Sequence, residues 1–249
     1  MSNPTLVFVP CFSGAPWDLE KLTPLAGRPL RTMRLPEDVD AIEDYADAVA
    51  TQVSDLTDYV LVGDSFGANI ALAVAVRRPA ELRGLVLSGG FAANPISSPF
   101  WKAGMRLGGK LRGGFYRQLT LRVHAHRLAS PHDGDGQLPW TEADSRRLFV
   151  AETPASSFGA RVKAALDADY VDRLGQVSVP TLILTPSHDV LIGEDAAKVL
   201  REGIPAAREV VLDRTGHMFR FSHPGTYARA VEDFVVDAIS PREVFGAAS

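Results

Sequence analysis

The stretch Tyr59-Val60-Leu61-Val62-Gly63-Asp64-Ser65-Phe66-Gly67 decides the fold. The apolar run Tyr59–Val62 reads as a strand covered on both faces, because a strand with one wet face would alternate polar and apolar positions. Ala68–Arg78 follows and is apolar nearly all round, which predicts a buried helix. Arg77 and Arg78 suit the negative end of that helix, and Pro79 stops it. Between strand and helix, Gly63–Gly67 makes a tight turn with Ser65 at its apex. Such a turn lifts the hydroxyl clear of the sheet, and glycine on either side removes side chains that would hold helix and strands apart. The helix start adds unpaired N–H groups and a positive dipole where an anion would form.

Working outward, the same alternation recurs. Thr5–Val9, Leu82–Leu87, Thr181–Thr185 and Glu209–Leu212 are further strand candidates, with a weaker one at Leu30–Leu35. Ala41–Leu56 carries Ile42, Tyr45, Ala46, Val49 and Val53 on one helical face, with Asp40 as the expected N-cap. Asp195–Arg201 and Tyr227–Ile239 complete the set. This order predicts an α/β fold with a doubly wound, mostly parallel sheet. The alternation breaks once, over 93–166, where strand signals fade and Gly, Pro, Ser and Arg rise. There Thr141-Glu142-Ala143-Asp144 predicts a capping box and Thr153-Pro154 a second helix start. The expected division is a core of 1–92 and 167–249, with 93–166 a helical cap or lid insertion. The tail Ser240–Ser249 is expected to fray.

Composition narrows the function classes. At 249 residues and 46% hydrophobic, the chain is neither disordered nor fibrous. A net charge of −4 offers nucleic acid no overall attraction. The longest apolar run, Ile70–Val76, is far below the ~20 residues of a membrane-spanning helix. Met1-Ser2-Asn3-Pro4 carries no basic leader, and one cysteine, Cys11, suits a reducing compartment. A cytoplasmic location is the expectation.

Gly63-Asp64-Ser65-Phe66-Gly67 has the form of a nucleophile elbow, G-x-S-x-G between strand and helix. A serine hydroxyl is a weak nucleophile at neutral pH, so it needs a base, and the base needs an orienting carboxylate. Asp189 lies just past the strand Thr181–Thr185, and His217 follows the strand ending at Leu212. The chain order Ser65, Asp189, His217 agrees with the motif.

With these residues the chain resembles the α/β-hydrolase superfamily of esterases, lipases and C–C hydrolases over nearly all of its length outside the insertion and tail. The matching segments are Gly63–Gly67, Pro180–Asp189 and Gly216-His217, followed by Ser222-His223-Pro224 and the helix ending at Phe234-Val235. The resemblance implies Ser65 as nucleophile, His217 as base, Asp189 as third member, and a cap supplied by the insertion. It also implies an oxyanion hole formed by the Phe12 and Phe66 backbone N–H groups. Two departures stand out. Pro10-Cys11-Phe12 replaces the family's usual His-Gly, which adds the Cys11 side chain near the hole. The chain also opens at the early strand, without the antiparallel hairpin that usually precedes it.

Other residues carry blander expectations. Asp64 is expected to hydrogen-bond beside the nucleophile, and serine at the apex argues against the carboxylate nucleophile of haloalkane dehalogenases and epoxide hydrolases. His188 is assigned no chemistry, His223 a structural role, and Cys11 the part of an inert buried thiol. His124, His126 and His132 lack acidic or cysteine company, so no metal is expected. No acidic residue falls between Glu81 and Asp133, while Arg83, Lys102, Arg106, Lys110, Arg112, Arg117, Arg122 and Arg127 do. Lys102, Arg106 and Lys110 would share one helix face. That face is either merely solvated or a cationic surface steering an anionic substrate or an acidic carrier protein. Phe12, Phe66 and Trp101 are the expected substrate contacts, with Trp17, Phe91 and Phe100 as further aromatic candidates. The expected activity is hydrolysis of a carboxylic ester, or a related acyl bond of a small molecule, through an acyl-enzyme and without cofactor. C–C hydrolysis, a cofactor-free lyase reaction and acyl transfer by the same three residues stay open, as does a non-catalytic binding protein on this scaffold.

Overall fold

The computed structural model describes residues 3–37, 39–96, 98–110, 114–130 and 139–239. The tail Ser240–Ser249 lies outside the described residues. Six strands form one sheet: β1 (Thr5–Val9), β2 (Leu30–Thr32), β3 (Tyr59–Asp64), β4 (Leu82–Ser88), β5 (Thr181–Pro186) and β6 (Ala207–Leu212). Their order is β2-β1-β3-β4-β5-β6, and every pairing is parallel. The chain enters in the interior, moves to the β2 edge, then returns past β1 to build the other half. The winding therefore reverses between β1 and β3, the place where open α/β sheets form a crevice beyond their strand ends.

Continuous apolar strands are explained by cover on both faces. Val7, Val9, Leu61, Leu85, Leu87 and Ile183 pack with α1 (Ile42–Gln52) and α2 (Phe66–Ala75). Leu6, Phe8, Val60, Val62, Val86 and Leu184 face the other way, into a layer with Trp17, Tyr227, Val231 and Phe234. Every residue of α2 is buried, as its lack of a polar face requires. Burying each large aliphatic side chain contributes about 1.5–3 kcal/mol.

Between β4 and β5 the chain forms α3 (Pro99–Lys110), α4 (Gly114–His124), α5 (Glu142–Glu152) and α6 (Ala155–Asp167). These helices share an apolar cluster including Tyr116, Leu121, Phe149, Phe158 and Val162, which takes in Met218 from beyond β6. The capping box forms: Thr141 Oγ1 accepts the Asp144 N–H at 3.1 Å, and the Asp144 carboxylate accepts the Thr141 N–H at 2.9 Å. After β5 come α7 (Glu194–Gly203), the short α8 (Phe219–Ser222) and α9 (Pro224–Phe234). The last turn, Val235–Ile239, widens to π geometry.

Three local expectations are corrected. β2 stops at Thr32 because Leu35 turns away, donating its N–H to Gly14 O at 3.0 Å while keeping its side chain buried. Asp40 does not cap α1: Ala41 holds that position without a side-chain cap, and the Asp40 carboxylate lies 3.5 Å from Lys163 Nζ. α2 begins at Phe66, directly after the serine, and ends at Ala75, ahead of Arg77 and Arg78. Among the described residues no helix is long and apolar enough to cross a membrane.

Candidate active site

Ser65 has φ 54° and ψ −114°, a conformation that costs a non-glycine residue roughly 1–3 kcal/mol. Its neighbours show why the turn holds. A Cβ on Gly63 would lie 2.4 Å from Gly67 O, and one on Gly67 would lie 2.4 Å from both Val9 O and Pro10 O. Helix α2 thus rests on the strand ends with main chain against main chain. The Ser65 N–H donates to Ser88 O of β4 at 2.7 Å, which ties the apex to the sheet.

The structure brings Ser65, His217 and Asp189 together. His217 Nδ1 is 2.8 Å from Asp189 Oδ2, and His217 Nε2 is 2.8 Å from Ser65 Oγ. An ionised carboxylate only accepts, so Nδ1–H donates to Asp189 and Nε2 is left to accept the serine proton. The other carboxylate oxygen, Asp189 Oδ1, accepts the Leu191 and Ile192 N–H groups at 2.8 and 3.0 Å. His188 N–H donates to Thr215 O at 2.8 Å, binding the loop after β5 to the loop after β6.

Burial and charge oppose each other at this pair. Desolvation is the largest influence on His217 and pulls its pKa down. The charge and hydrogen bond of Asp189, with a further contribution from Asp64, carry it net above the ordinary histidine value. Desolvation raises the Asp189 pKa, but His217 and the two backbone N–H groups bring it net below the usual carboxylate range.

Phe12 and Phe66 border the same cavity as Ser65 and His217, and among the described residues neither backbone N–H has an acceptor. The cavity measures about 220 Å³. Phe12 is its pivot, in edge contact with Phe66 of α2, Phe149 of α5 and Phe158 of α6. Phe91, Met105, Leu121 and Met218 add apolar wall, while His124 and Arg127 bring the polar margin. Burial, then the charges of Arg127 and His126, lower the His124 pKa.

Other candidates fall elsewhere. Phe100 is 83% exposed on α3 and does not line the cavity, because its helix presents Met105 inward instead. Trp17 is core, packed on Phe8 and Tyr227. The side chains of Trp101 and Lys110 lie outside the described residues, as does His132. Cys11 is buried, its Sγ 3.4 Å from Ser13 Oγ. His223 Nδ1 is 2.8 Å from Ser222 Oγ, and the ring is buried. Much of the basic segment is already engaged: Arg106 pairs with Asp167 at 2.5 Å, Arg83 pairs with Asp58, and Arg117 donates to Val150 O and Thr153 O. Among the described residues no group of three or more His, Cys, Asp or Glu side chains could hold a metal.

Three residues next to the site escaped sequence reasoning. Arg220 donates to Asp64, Arg161 reaches the Phe12 loop, and Ser130 Oγ accepts the Gly216 N–H at 3.2 Å. Only Arg220 left a trace, standing between two aromatic residues; Arg161 reads as a surface position of an amphipathic helix.

Comparison with known proteins finds relatives over most of the chain. A pimeloyl-[acyl-carrier protein] methyl ester esterase of Neisseria meningitidis is 29% identical over 199 residues, 78% of this chain and 75% of that protein. A 2-hydroxy-6-oxononadienedioate/2-hydroxy-6-oxononatrienedioate hydrolase of Cupriavidus pinatubonensis is 29% identical over 183 residues, which is 70% of this chain but 61% of that protein. Among solved structures, a thermophilic esterase from Thermogutta terrifontis superposes with a TM-score of 0.78 at 20% identity, covering 96% of this chain and 91% of the other. Residues 6–230 match the sequence model of the alpha/beta hydrolase family, and the chain belongs to that family of enzymes.

Proposed function

We propose that the protein is a serine hydrolase cleaving a carboxylic ester, or a related acyl bond, of a small molecule. The observation that carries this reading is the relay of two 2.8 Å contacts from Asp189 through His217 to Ser65 Oγ. In this reading His217 Nε2 takes the hydroxyl proton as Oγ attacks the carbonyl carbon. Asp189 holds the ring in the required tautomer and stabilises the imidazolium that forms. The negative charge on the former carbonyl oxygen falls to the Phe12 and Phe66 amides, each donor of this kind being worth about 10²–10³ in rate. His217 then protonates the leaving alcohol, and water, deprotonated by the same nitrogen, releases the acyl group from Ser65.

The apolar cavity supports a substrate whose group beside the reacting carbonyl is hydrocarbon. Residues 93–166 act in this reading as the cap that walls it. A second reading places an anionic substrate or acidic carrier at the basic segment, with Arg127 at the cavity margin its best-situated cation. The Neisseria relative is named for an ester carried on an acyl-carrier protein. The single cysteine supports a cytoplasmic location.

A fluorophosphonate probe together with p-nitrophenyl esters of graded acyl length tests the proposal. Labelling at Ser65 and turnover should both vanish in Ser65→Ala. Turnover retained in that variant refutes the assignment. Product analysis with added alcohol separates hydrolysis from acyl transfer, and a diketone substrate separates ester from C–C cleavage.

A further inference from the structure

Arg161 is the bulkiest fully buried side chain among the described residues, 1% exposed in the middle of α6. Charged side chains are almost never buried to this degree without engaged partners. Its Nη atoms donate to backbone carbonyls, the Tyr45 hydroxyl also hydrogen-bonds with the guanidinium, and Nε has no partner among the described residues. Nη1 donates to Phe12 O at 2.9 Å and to Ser13 O at 2.7 Å, and Nη2 reaches Pro36 O at 3.4 Å. The next residue of the loop is shaped around the guanidinium. Gly14 has φ +73°, and a Cβ there would lie 2.5–2.7 Å from three guanidinium atoms.

Phe12 and Ser13 are the two central residues of a turn closed by the Gly14 N–H donating to Cys11 O at 2.9 Å. In such a turn the N–H of the first central residue takes no part in the closing bond and projects outward. Arg161 grips the carbonyls of both central residues, so it fixes the turn's rotation and with it the direction of the Phe12 N–H. Thr153 Oγ1 adds a second donor to Ser13 O at 3.3 Å. From the same helix, Phe158, Val162 and Ala165 wall the cavity, whereas Arg161 does not border it.

We infer that Arg161 is a positioning residue for the oxyanion hole: it acts on the reacting oxygen through the Phe12 turn, without touching substrate. The inference rests on the serine-hydrolase reading of the site. It also makes α6 the part of the insertion on which the hole depends, since one helix both walls the cavity and orients a donor.

The test uses the full chain with Arg161→Met and Arg161→Lys, each checked for folding by circular dichroism. Steady-state hydrolysis of a p-nitrophenyl ester is measured with the affinity for a trifluoromethyl ketone, whose serine adduct carries an oxyanion. A displaced donor should lower kcat about 10–100-fold in Arg161→Met. KM should stay within about threefold, and ketone affinity should fall by the same factor as kcat/KM. The acid limb of the pH profile should not move, because His217 and Asp189 are untouched. Arg161→Lys keeps a point donor without the fork and should recover part of the loss. If Arg161→Met does not fold, the lysine variant decides, with reduced kcat at unchanged KM expected. Unchanged kcat in a folded variant overturns the inference, as does a loss confined to KM or a moved acid limb. A wild-type protein that neither turns over ester nor labels at Ser65 removes the parent reading and this inference together; a competent wild type beside unaffected variants removes only the role of Arg161.

Discussion

Arg220 Nε donates to Asp64 Oδ2 at 2.8 Å, with both side chains buried and the guanidinium stacked between the rings of Trp17 and Phe221, 3.9 and 3.8 Å from their centroids. Asp64 immediately precedes Ser65, and Arg220 follows His217 by three residues, so the pair joins the two loops that must meet. Removing one partner strands a buried charge, which costs about 3–5 kcal/mol. Urea denaturation should show that loss in Arg220→Met and in Asp64→Asn, with the double variant recovering part of it. The two variants should also move the acid limb of kcat/KM in opposite directions. Asp64 raises the His217 pKa, so Asp64→Asn lowers the limb, while Arg220→Met leaves Asp64 uncompensated and raises it. Shifts of the same sign would show that the pair acts on His217 by geometry alone.

The pH dependence follows from the direction of each shift. In the proposed mechanism His217 acts as a base in its neutral form, so the acid limb should lie above about 6.5, the ordinary histidine value. Replacing Asp189 by Asn should drop kcat by about 10⁴ and bring the limb down. Stability runs the other way for the histidine. The raised His217 pKa contributes stabilisation that is complete below about 6.5 and is lost as pH rises through the folded-state value. The lowered Asp189 pKa contributes stabilisation present above about 3.9 and lost as pH falls through its own folded-state value. Thermal melts across this range, compared between wild type and His217→Gln, check the first slope.

The conformation of Ser65 predicts a trade between stability and turnover. Glycine accepts φ 54°, ψ −114° without the side-chain clash that alanine or serine suffers. Ser65→Gly should therefore melt above Ser65→Ala by about 2–4 °C, equivalent to about 1 kcal/mol in a chain of this length. Both should be inactive. Equal melting temperatures would mean the turn carries no strain.

Gly67→Ala sets two effects against each other. Alanine favours a helix over glycine by about 1 kcal/mol, but its Cβ would sit 2.4 Å from the Val9 and Pro10 carbonyl oxygens. Overpacking against rigid main chain costs about 1–3 kcal/mol or more, so sterics should win. Calorimetry should show a lower melting temperature, and ester turnover should fall as the Pro10–Phe12 segment is pushed outward.

What was legible in the sequence follows from range. Tyr59–Val62 and the helix after it declare themselves because strand and helix burial are written in adjacent residues. Ser65, Asp189 and His217 are readable because each stands beside a strand end, and parallel strands deliver their ends to one side. Asp40 failed as a cap because an aspartate one residue early has the same local signature as one in register. Phe100 and Met105 could not be sorted between solvent and cavity, since the apolar residues of α3 spread over the whole arc opposite its Lys102–Arg106–Lys110 face and only its packing on α6 selects a side. Arg161 was invisible for a stronger reason: the main-chain oxygens it donates to lie 125–149 positions away, and carbonyls carry no sequence.

The contact between Gly67 and the Val9–Pro10 carbonyls has a further consequence. The two turns that bear Phe12 and Phe66 are spaced where main chain of α2 rests on main chain at the end of β1, so their separation is set by peptide atoms, and Arg161 acts only on the orientation of the Phe12 turn. Substitutions at Phe149, Met105 or Leu121 should therefore reshape the cavity while leaving the spacing of the two amides proposed to bind the oxyanion unchanged. The shape of the cavity and the proposed chemistry are in this way assigned to separate parts of the chain.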